Sequence, residues 1–80
     1  MIDTIYCGRI VYLGNDIIKK ELVDYEVIGA DFGERHDDGG FTAVCLKSGM
    51  VNNKYNRKRF SSNDLYSRDE AMKLIGKLEE

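Results

Sequence analysis

The sequence predicts a small α+β protein. We expect an antiparallel sheet or SH3-like partial barrel of three to four strands, followed by a C-terminal amphipathic helix. Two observations lead to this prediction: three β-rich segments separated by turn residues, and a helix with a clear start signal at the end of the chain. With 80 residues there is room for one hydrophobic core, so a single domain is expected over 1–80.

The first strand is predicted at about 4–13, where β-branched and aromatic residues predominate. Gly8 lies inside this segment and predicts a bend or bulge, because glycine in a strand often marks such a position. The Gly-Asn-Asp sequence at 14–16 predicts a turn, since glycine and asparagine tolerate positive φ angles.

The middle of the chain predicts further extended segments. At about 22–32, apolar and acidic residues alternate with the period of two that is typical of a half-buried strand. Residues 33–40 are expected to form a polar, mobile connection. A third strand is predicted at 41–47, between glycine-containing turns, and a fourth, shorter strand within 50–60.

A helix is predicted at about 68–79. Ser67 and Glu70 have the spacing of a capping box, in which each side chain accepts a hydrogen bond from the other residue's backbone N–H. Tyr66, before the cap, is positioned to pack on Ala71 as a hydrophobic staple. Four apolar residues then recur with helical spacing and predict a buried stripe: Ala71, Leu74, Ile75 and Leu78.

Composition favours a cytoplasmic protein without membrane contact. No segment approaches the roughly 18 apolar residues of a membrane span, and the first residues do not read as a secretory signal. Cys7 and Cys45 lie in apolar, strand-like contexts, so we expect buried thiols in a reducing compartment. A disulfide between neighbouring strands is the alternative in an oxidising medium.

Charge is distributed unevenly along the chain. The net charge is −2, yet the window 39–63 contains five basic residues and no acidic one. The first 40 residues, in contrast, contain nine acidic and four basic residues. A local concentration of positive charge predicts a surface that binds an anionic or acidic partner.

Seven residues are the candidates for this surface: Lys47, Lys54, Tyr55, Asn56, Arg57, Lys58 and Arg59. The cationic groups could bind phosphates or protein carboxylates, the tyrosine could stack on a base, and the asparagine could contact base edges. Overall acidity gives no support for general nucleic-acid affinity, although nucleic acid remains an alternative partner. The simplest alternative is a solvated strand edge whose charges prevent aggregation.

The other patterns in the sequence do not predict a metal site or a catalytic site. His36 lies among acidic residues at 34–38, but the spacing to Cys7 and Cys45 matches no recognised metal site. The chain contains no nucleophile, phosphate-loop or dinucleotide motif. We therefore expect no enzymatic activity, no cofactor and no metal. The acidic stretch could also pair with the basic segment of a second copy and form a homo-oligomer.

Residues 60–71, Phe-Ser-Ser-Asn-Asp-Leu-Tyr-Ser-Arg-Asp-Glu-Ala, resemble the ending of short proteins from phages and prophages of Gram-positive bacteria. Residues 8–11 and 25–29 look like the two opening strands of those proteins. The chain departs from them by lacking Gly-Lys-Thr-Val-Phe before the helix and by having a richer basic loop. The resemblance implies phage accessory cargo, among which small non-enzymatic binders that antagonise host systems are frequent.

Taken together, these observations predict a phage- or mobile-element-type binding protein in the host cytoplasm. It would act stoichiometrically through its basic loop on a host defence or regulatory component, by inhibiting a protein or by sequestering a phosphorylated nucleotide signal. The alternatives are an SH3-like nucleic-acid-binding module and a structural, self-assembling protein.

Overall fold

The computed structural model describes residue 2 and residues 4–79. Within these residues, five strands, two helices and one 3₁₀ turn follow each other. They are β1 (Ile10–Leu13), α1 (Gly14–Ile18), β2 (Tyr25–Arg35), β3 (Phe41–Lys47), β4 (Arg57–Ser61), the 3₁₀ turn (Ser62–Asp64), β5 (Leu65–Tyr66) and α2 (Arg68–Glu79).

The strands form one open antiparallel sheet in the order β4-β3-β2-β1-β5. This arrangement confirms the α+β class with a small antiparallel sheet and a C-terminal helix. An SH3-like partial barrel, the other form that the sequence allowed, stays a prediction. The sequence did not predict β5, which pairs with β1 through Tyr12 opposite Tyr66 and Leu13 opposite Leu65.

The first strand is shorter than predicted. It begins at Ile10, because a turn at Tyr6–Arg9 interrupts the extended backbone. Gly8 adopts a φ of +93°, which confirms the bend predicted there, and its N–H donates to the carbonyl of Val27 at 2.8 Å. The strand predicted for 4–9 is therefore wrong.

The turn predicted at 14–16 is also wrong, since these residues form the start of α1. The positive φ lies instead at Lys20, at +62°. Gly14 serves a different purpose: a Cβ atom there would lie 2.6 Å from Asp64 Oδ1. Glycine at this position allows the close approach of α1 to the 3₁₀ turn.

The second strand starts and ends later than predicted, because pairing with β3 determines its length. β2 runs to Arg35, with irregularities between Val27 and Gly29 and between Asp31 and Arg35. The connection predicted at 33–40 is consequently reduced to 36–40. β3 coincides with its predicted range, and β4 begins late in the predicted 50–60 segment and extends to Ser61.

Apolar side chains pack on both faces of β1. The main cluster fills one face of the sheet and contains Ile2, Val11, Leu13, Tyr25, Val27, Ala43, Cys45 and Leu65. A second cluster on the opposite face consists of Tyr12, Ile17 and Ala71, with Tyr66, Leu74 and Ile75 packed against it. β1 thus lies between the two clusters, with the main cluster on one face and α2 on the other.

The start of α2 has the predicted geometry. Glu70 N–H donates to Ser67 Oγ, and Ser67 N–H donates to Glu70 Oε1, both at 3.2 Å. Leu78 lies at the end of the predicted apolar stripe and is 48% exposed, so only the first part of the stripe is covered. Within the described part of the chain, neither helix has the length and apolar character needed to span a bilayer.

The two cysteines differ in environment. Both are free thiols, but Cys7 is exposed and Cys45 is buried in the sheet core. The expectation of a buried pair is therefore wrong for Cys7, because this residue lies in the turn before β1. Burial raises the pKa of the Cys45 thiol to about 11.

Candidate binding surface at the basic edge

The basic residues predicted to bind a partner lie at one margin of the sheet. Lys47 ends β3, Lys54 lies in the loop that follows, and β4 contributes three consecutive cations: Arg57, Lys58 and Arg59. All five side chains are exposed. We refer to these five residues as the basic edge.

The cations of β4 point to both faces of the sheet. Lys58 is opposite Cys45, and Phe60 is opposite Ala43, so both project from the face that carries the core. Phe60 packs there against the ring of Tyr25, with centroids 5.7 Å apart. Lys58 stands at the rim of the same face, whereas Arg57 and Arg59 project from the other.

Arg59 is held by acidic residues of β2. Its Nη2 lies 2.8 Å from Glu34 Oε2 and 3.5 Å from Asp31 Oδ2, and the side chains are about half exposed. Exposed ion pairs of this kind contribute only about 0–1 kcal/mol to stability. Their main effect is to orient Arg59 and to neutralise part of its charge.

Arg57 lines a shallow groove on the same face. Its Nε donates to Asn52 Oδ1 at 2.8 Å. The groove has a volume of about 510 Å³, with Gly29 and Val44 among its lining residues. Asp31 also lines it, so a carboxylate stands beside the two arginines that would have to bind a phosphate there.

The loop between β3 and β4 is organised around Asn53. Its Oδ1 accepts hydrogen bonds from the N–H groups of Tyr55 at 2.9 Å and Asn56 at 3.1 Å. Asn56 Nδ2 in turn donates to the carbonyl of Val51 at 2.8 Å. The side chain of Asn56, predicted to contact a partner, is thus engaged within the loop.

Three large apolar side chains of this loop are exposed next to the basic edge. Tyr55 is 82% exposed, Val51 is 72% exposed, and Met50 is exposed as well. Lys54 Nζ lies 5.2 Å from the centre of the Tyr55 ring, within cation–π range. Sequence reasoning selected Tyr55 but missed Met50 and Val51, although their position directly after the Ser-Gly turn was a usable signal.

Among the described residues, the three lysines of the basic edge are not neutralised by ion pairs. Across residues 4–79, Lys47, Lys54 and Lys58 form no ion pair, in contrast to Arg59. The positive field of the basic edge therefore comes mainly from its lysines and Arg57. These groups stand next to apolar side chains that no other part of the described chain covers.

The acidic hairpin at 36–40 has a structural role. Asp38 accepts hydrogen bonds from Gly40 N–H at 2.9 Å and from Ser61 Oγ at 2.8 Å. These two contacts lower the pKa of Asp38, the Gly40 N–H having the larger effect. His36 Nε2 lies 2.8 Å from Oγ1 of the buried Thr42. The predicted mobile connection is thus tied to β3 and β4.

A metal centre has no counterpart in these contacts. The described residues contain no group of three or more His, Cys, Asp or Glu side chains arranged to hold a metal ion.

Comparison of the chain with protein-family models, curated proteins and solved structures gave no match. The resemblance of 60–71 to short phage proteins stays a prediction from the sequence.

Proposed function

We propose that the protein is a small non-enzymatic binding protein that occupies an acidic surface of another protein through the basic edge. The observation that carries this proposal is the exposure of Met50, Val51 and Tyr55 in the loop that leads into the basic strand β4, where Lys54 Nζ lies 5.2 Å from the centre of the Tyr55 ring. Protein interfaces are enriched in tyrosine, methionine and arginine, and their strongest contacts are often made by aromatic residues and arginine. Tyr55, Met50 and Arg57 fit this composition, and the lysines add charge complementarity to an acidic surface.

A protein surface fits this arrangement better than a compact phosphorylated ligand. The cations lie on both faces of β4 and in the loop before it, so a small ligand in the groove could reach only Arg57 and Arg59. Arg59 already contacts Asp31 and Glu34, whose carboxylates would repel a phosphate. An extended acidic surface can contact the cations of both faces at once.

Nucleic acid is disfavoured for a related reason. Because phosphates are regularly spaced, a nucleic acid following β4 would bring phosphates to the carboxylates of Asp31 and Glu34 as well as to the cations, whereas an acidic protein surface can have uncharged residues there. The net charge of −2 also repels a nucleic acid at long range. The repulsion is weaker for a partner protein whose negative charge is confined to a local patch.

The proposed biological setting is that of a phage or mobile element. The resemblance of 60–71 to short phage proteins supports a host defence or regulatory protein as the partner. Binding would be stoichiometric: the protein would occupy the partner's surface without reacting with it. By covering an acidic surface, the protein would block whatever that surface normally contacts.

Native mass spectrometry of the tagged protein, purified from its own host background, tests the proposal. We expect a one-to-one complex with an acidic protein. The complex should be lost in a triple variant of the basic edge, Lys54→Ala, Arg57→Ala and Lys58→Ala, because the partner's carboxylates then lose their counterions.

A matched control removes the same charge elsewhere: Lys19→Ala, Lys73→Ala and Lys77→Ala, all at exposed positions. This variant should retain the complex. The proposal would be wrong if the triple variant of the basic edge kept its partner. Co-purification of a nucleotide or a nucleic acid in place of a protein would also contradict it.

A further inference from the structure

β4 is a terminal strand of the sheet. In the part of the chain that the structure describes, it pairs with β3 along one side and with no strand along the other. The backbone N–H and C=O groups of an edge strand can form a ladder with an added strand. Residues 57–59 are exposed, and in the described chain their backbone pairs with no strand on the side away from β3.

We propose that an extended acidic segment of the partner pairs with β4 as an additional strand of the sheet. This inference rests on the proposed function and specifies how the basic edge would recognise its partner. Such strand addition gives affinity through main-chain hydrogen bonds and specificity through the side chains on alternate faces.

Charge determines which segment can be added. Consecutive side chains of an added strand point alternately to the two faces of the sheet. They would meet Arg57 and Arg59 on one face and Lys58 on the other. Arg57 and Lys58 are available to acidic side chains on the two faces, an arrangement that stabilises cross-strand pairs, whereas at Arg59 an added carboxylate would compete with Asp31 and Glu34. The segment expected at this edge has consecutive Asp or Glu residues.

The same geometry argues against a second copy of this chain. Antiparallel pairing of two β4 strands about Lys58 would place Lys58 opposite Lys58 and Arg57 opposite Arg59. Directly opposed like charges destabilise a sheet. A β4–β4 homodimer is thus disfavoured, whereas an acidic strand is not.

Protection against aggregation does not account for all features of this margin. Charged side chains on an edge strand are sufficient to prevent sheet-to-sheet association. Val51 and Tyr55, in the loop before β4, are exposed, and such apolar surface promotes association instead of preventing it. They are explained if the added strand continues past Arg57 and packs on them.

A designed peptide tests the inference. The probe has about seven residues, with three consecutive glutamates flanked by valine and threonine. Its control has the same sequence with alternate backbone amides N-methylated, which keeps the charge but removes donors of the ladder. We expect binding of the probe by isothermal titration calorimetry and at least about tenfold weaker binding of the control. Amide exchange should slow in β4 only with the probe.

Variants of the protein locate the added strand. Lys58→Glu should weaken binding of the probe by about tenfold or more, because a like charge then faces the glutamates. Lys77→Glu makes the same charge change on α2 and should leave the affinity within about twofold. A similar loss for both variants would show that only the overall charge matters and would overturn the inference.

The outcomes separate this inference from the proposed function. Equal binding of the probe and its N-methylated control would overturn strand addition, and so would binding of neither peptide. Neither result concerns the one-to-one complex with the natural partner, which the triple variant of the basic edge tests independently. Loss of that complex together with equal peptide binding would show that the basic edge binds acidic protein without forming a ladder.

Discussion

The two margins of the sheet differ in how the chain uses them. At the β5 margin, Leu65 is fully buried, its carbonyl accepts a hydrogen bond from Ile2 N–H at 3.2 Å, and Tyr66 packs in the cluster beneath α2. At the β4 margin, Arg57, Lys58 and Arg59 are exposed. The difference indicates that the side chains of β5 support the fold, while the cations of β4 are left accessible to solvent.

The largest effect is expected for Leu65→Ala. This substitution should lower the free energy of unfolding by about 2–5 kcal/mol, because it leaves a cavity in the main core. Urea denaturation measures the change. Val51→Ala, at an exposed position of the β4 side, should change stability by no more than about 0.5 kcal/mol. Comparable losses for the two variants would break the contrast between the margins.

The next largest effect concerns Gly40, where the hairpin meets the end of β4. A Cβ atom there would lie 2.7 Å from the Oγ atoms of both Ser61 and Ser62 and 3.2 Å from Asn63 Nδ2. We expect Gly40→Ala to destabilise the protein by about 1–3 kcal/mol, because these three groups must move together.

Gly76→Ala is the matched control. A Cβ atom at Gly76 meets nothing within 4 Å, and the residue lies inside α2. Gly76→Ala should stabilise the protein by about 0.5–1 kcal/mol, since alanine is a better helix former than glycine. Thermal denaturation of both variants would show whether the end of β4 belongs to the folded core. Stabilisation by Gly40→Ala would contradict the tight packing of this junction.

These contacts also show which parts of the fold the sequence could predict. α2 and β3 were predicted well because their signals are local: a capping box at Ser67 and Glu70, and an apolar run between glycine-containing turns. β5 was missed because it has only two residues, whose pairing partners Tyr12 and Leu13 lie far away in the sequence. Strand length in β2 likewise depends on long-range pairing, which no local pattern encodes.

The candidate site divides in the same way. Clustering of Arg57, Lys58 and Arg59 follows from their adjacency in the chain. The ion pair between Arg59 and Glu34 joins residues 25 positions apart, and Glu34 lies in the part of β2 whose pairing with β3 is irregular, between Asp31 and Arg35. Sequence alone could therefore locate the positive charge but not its partial neutralisation.

A smaller effect is expected for the charge of Asp64, at the β5 margin. Burial raises the pKa of this carboxyl, and the neighbouring carboxylates of Asp38 and Asp16 raise it further. A raised pKa means that the folded state binds a proton more readily than the unfolded state. Stability should therefore fall as the pH rises from the ordinary aspartate value, about 4, through the raised pKa.

Asp64→Asn should remove this pH dependence and stabilise the protein at neutral pH. Urea denaturation at a series of pH values provides the measurement. Asp38 is a useful contrast, because its pKa is lowered and its contribution is lost as the pH falls through that lowered pKa. If Asp64→Asn is less stable than the native protein at pH 7, the negative charge of Asp64 stabilises the fold and this prediction is wrong.

The smallest effect on folding is expected at the β4 margin. The triple variant Lys54→Ala, Arg57→Ala and Lys58→Ala should change stability by no more than about 0.5 kcal/mol per substitution, because the side chains are exposed. Circular dichroism during urea denaturation measures this. A large loss would mean that the basic edge supports the fold, and the loss of a partner in this variant would then no longer report on recognition alone.

The hydrogen bonds of Asn53 have a thermodynamic consequence for association. A loop that is disordered before binding loses conformational entropy when it becomes ordered, and that loss reduces affinity. Asn53 instead fixes the backbone of Tyr55 and Asn56 through its own side chain before any partner arrives. The entropic cost of ordering this loop is thus met during folding, and more of the contact free energy at Tyr55 remains available as affinity.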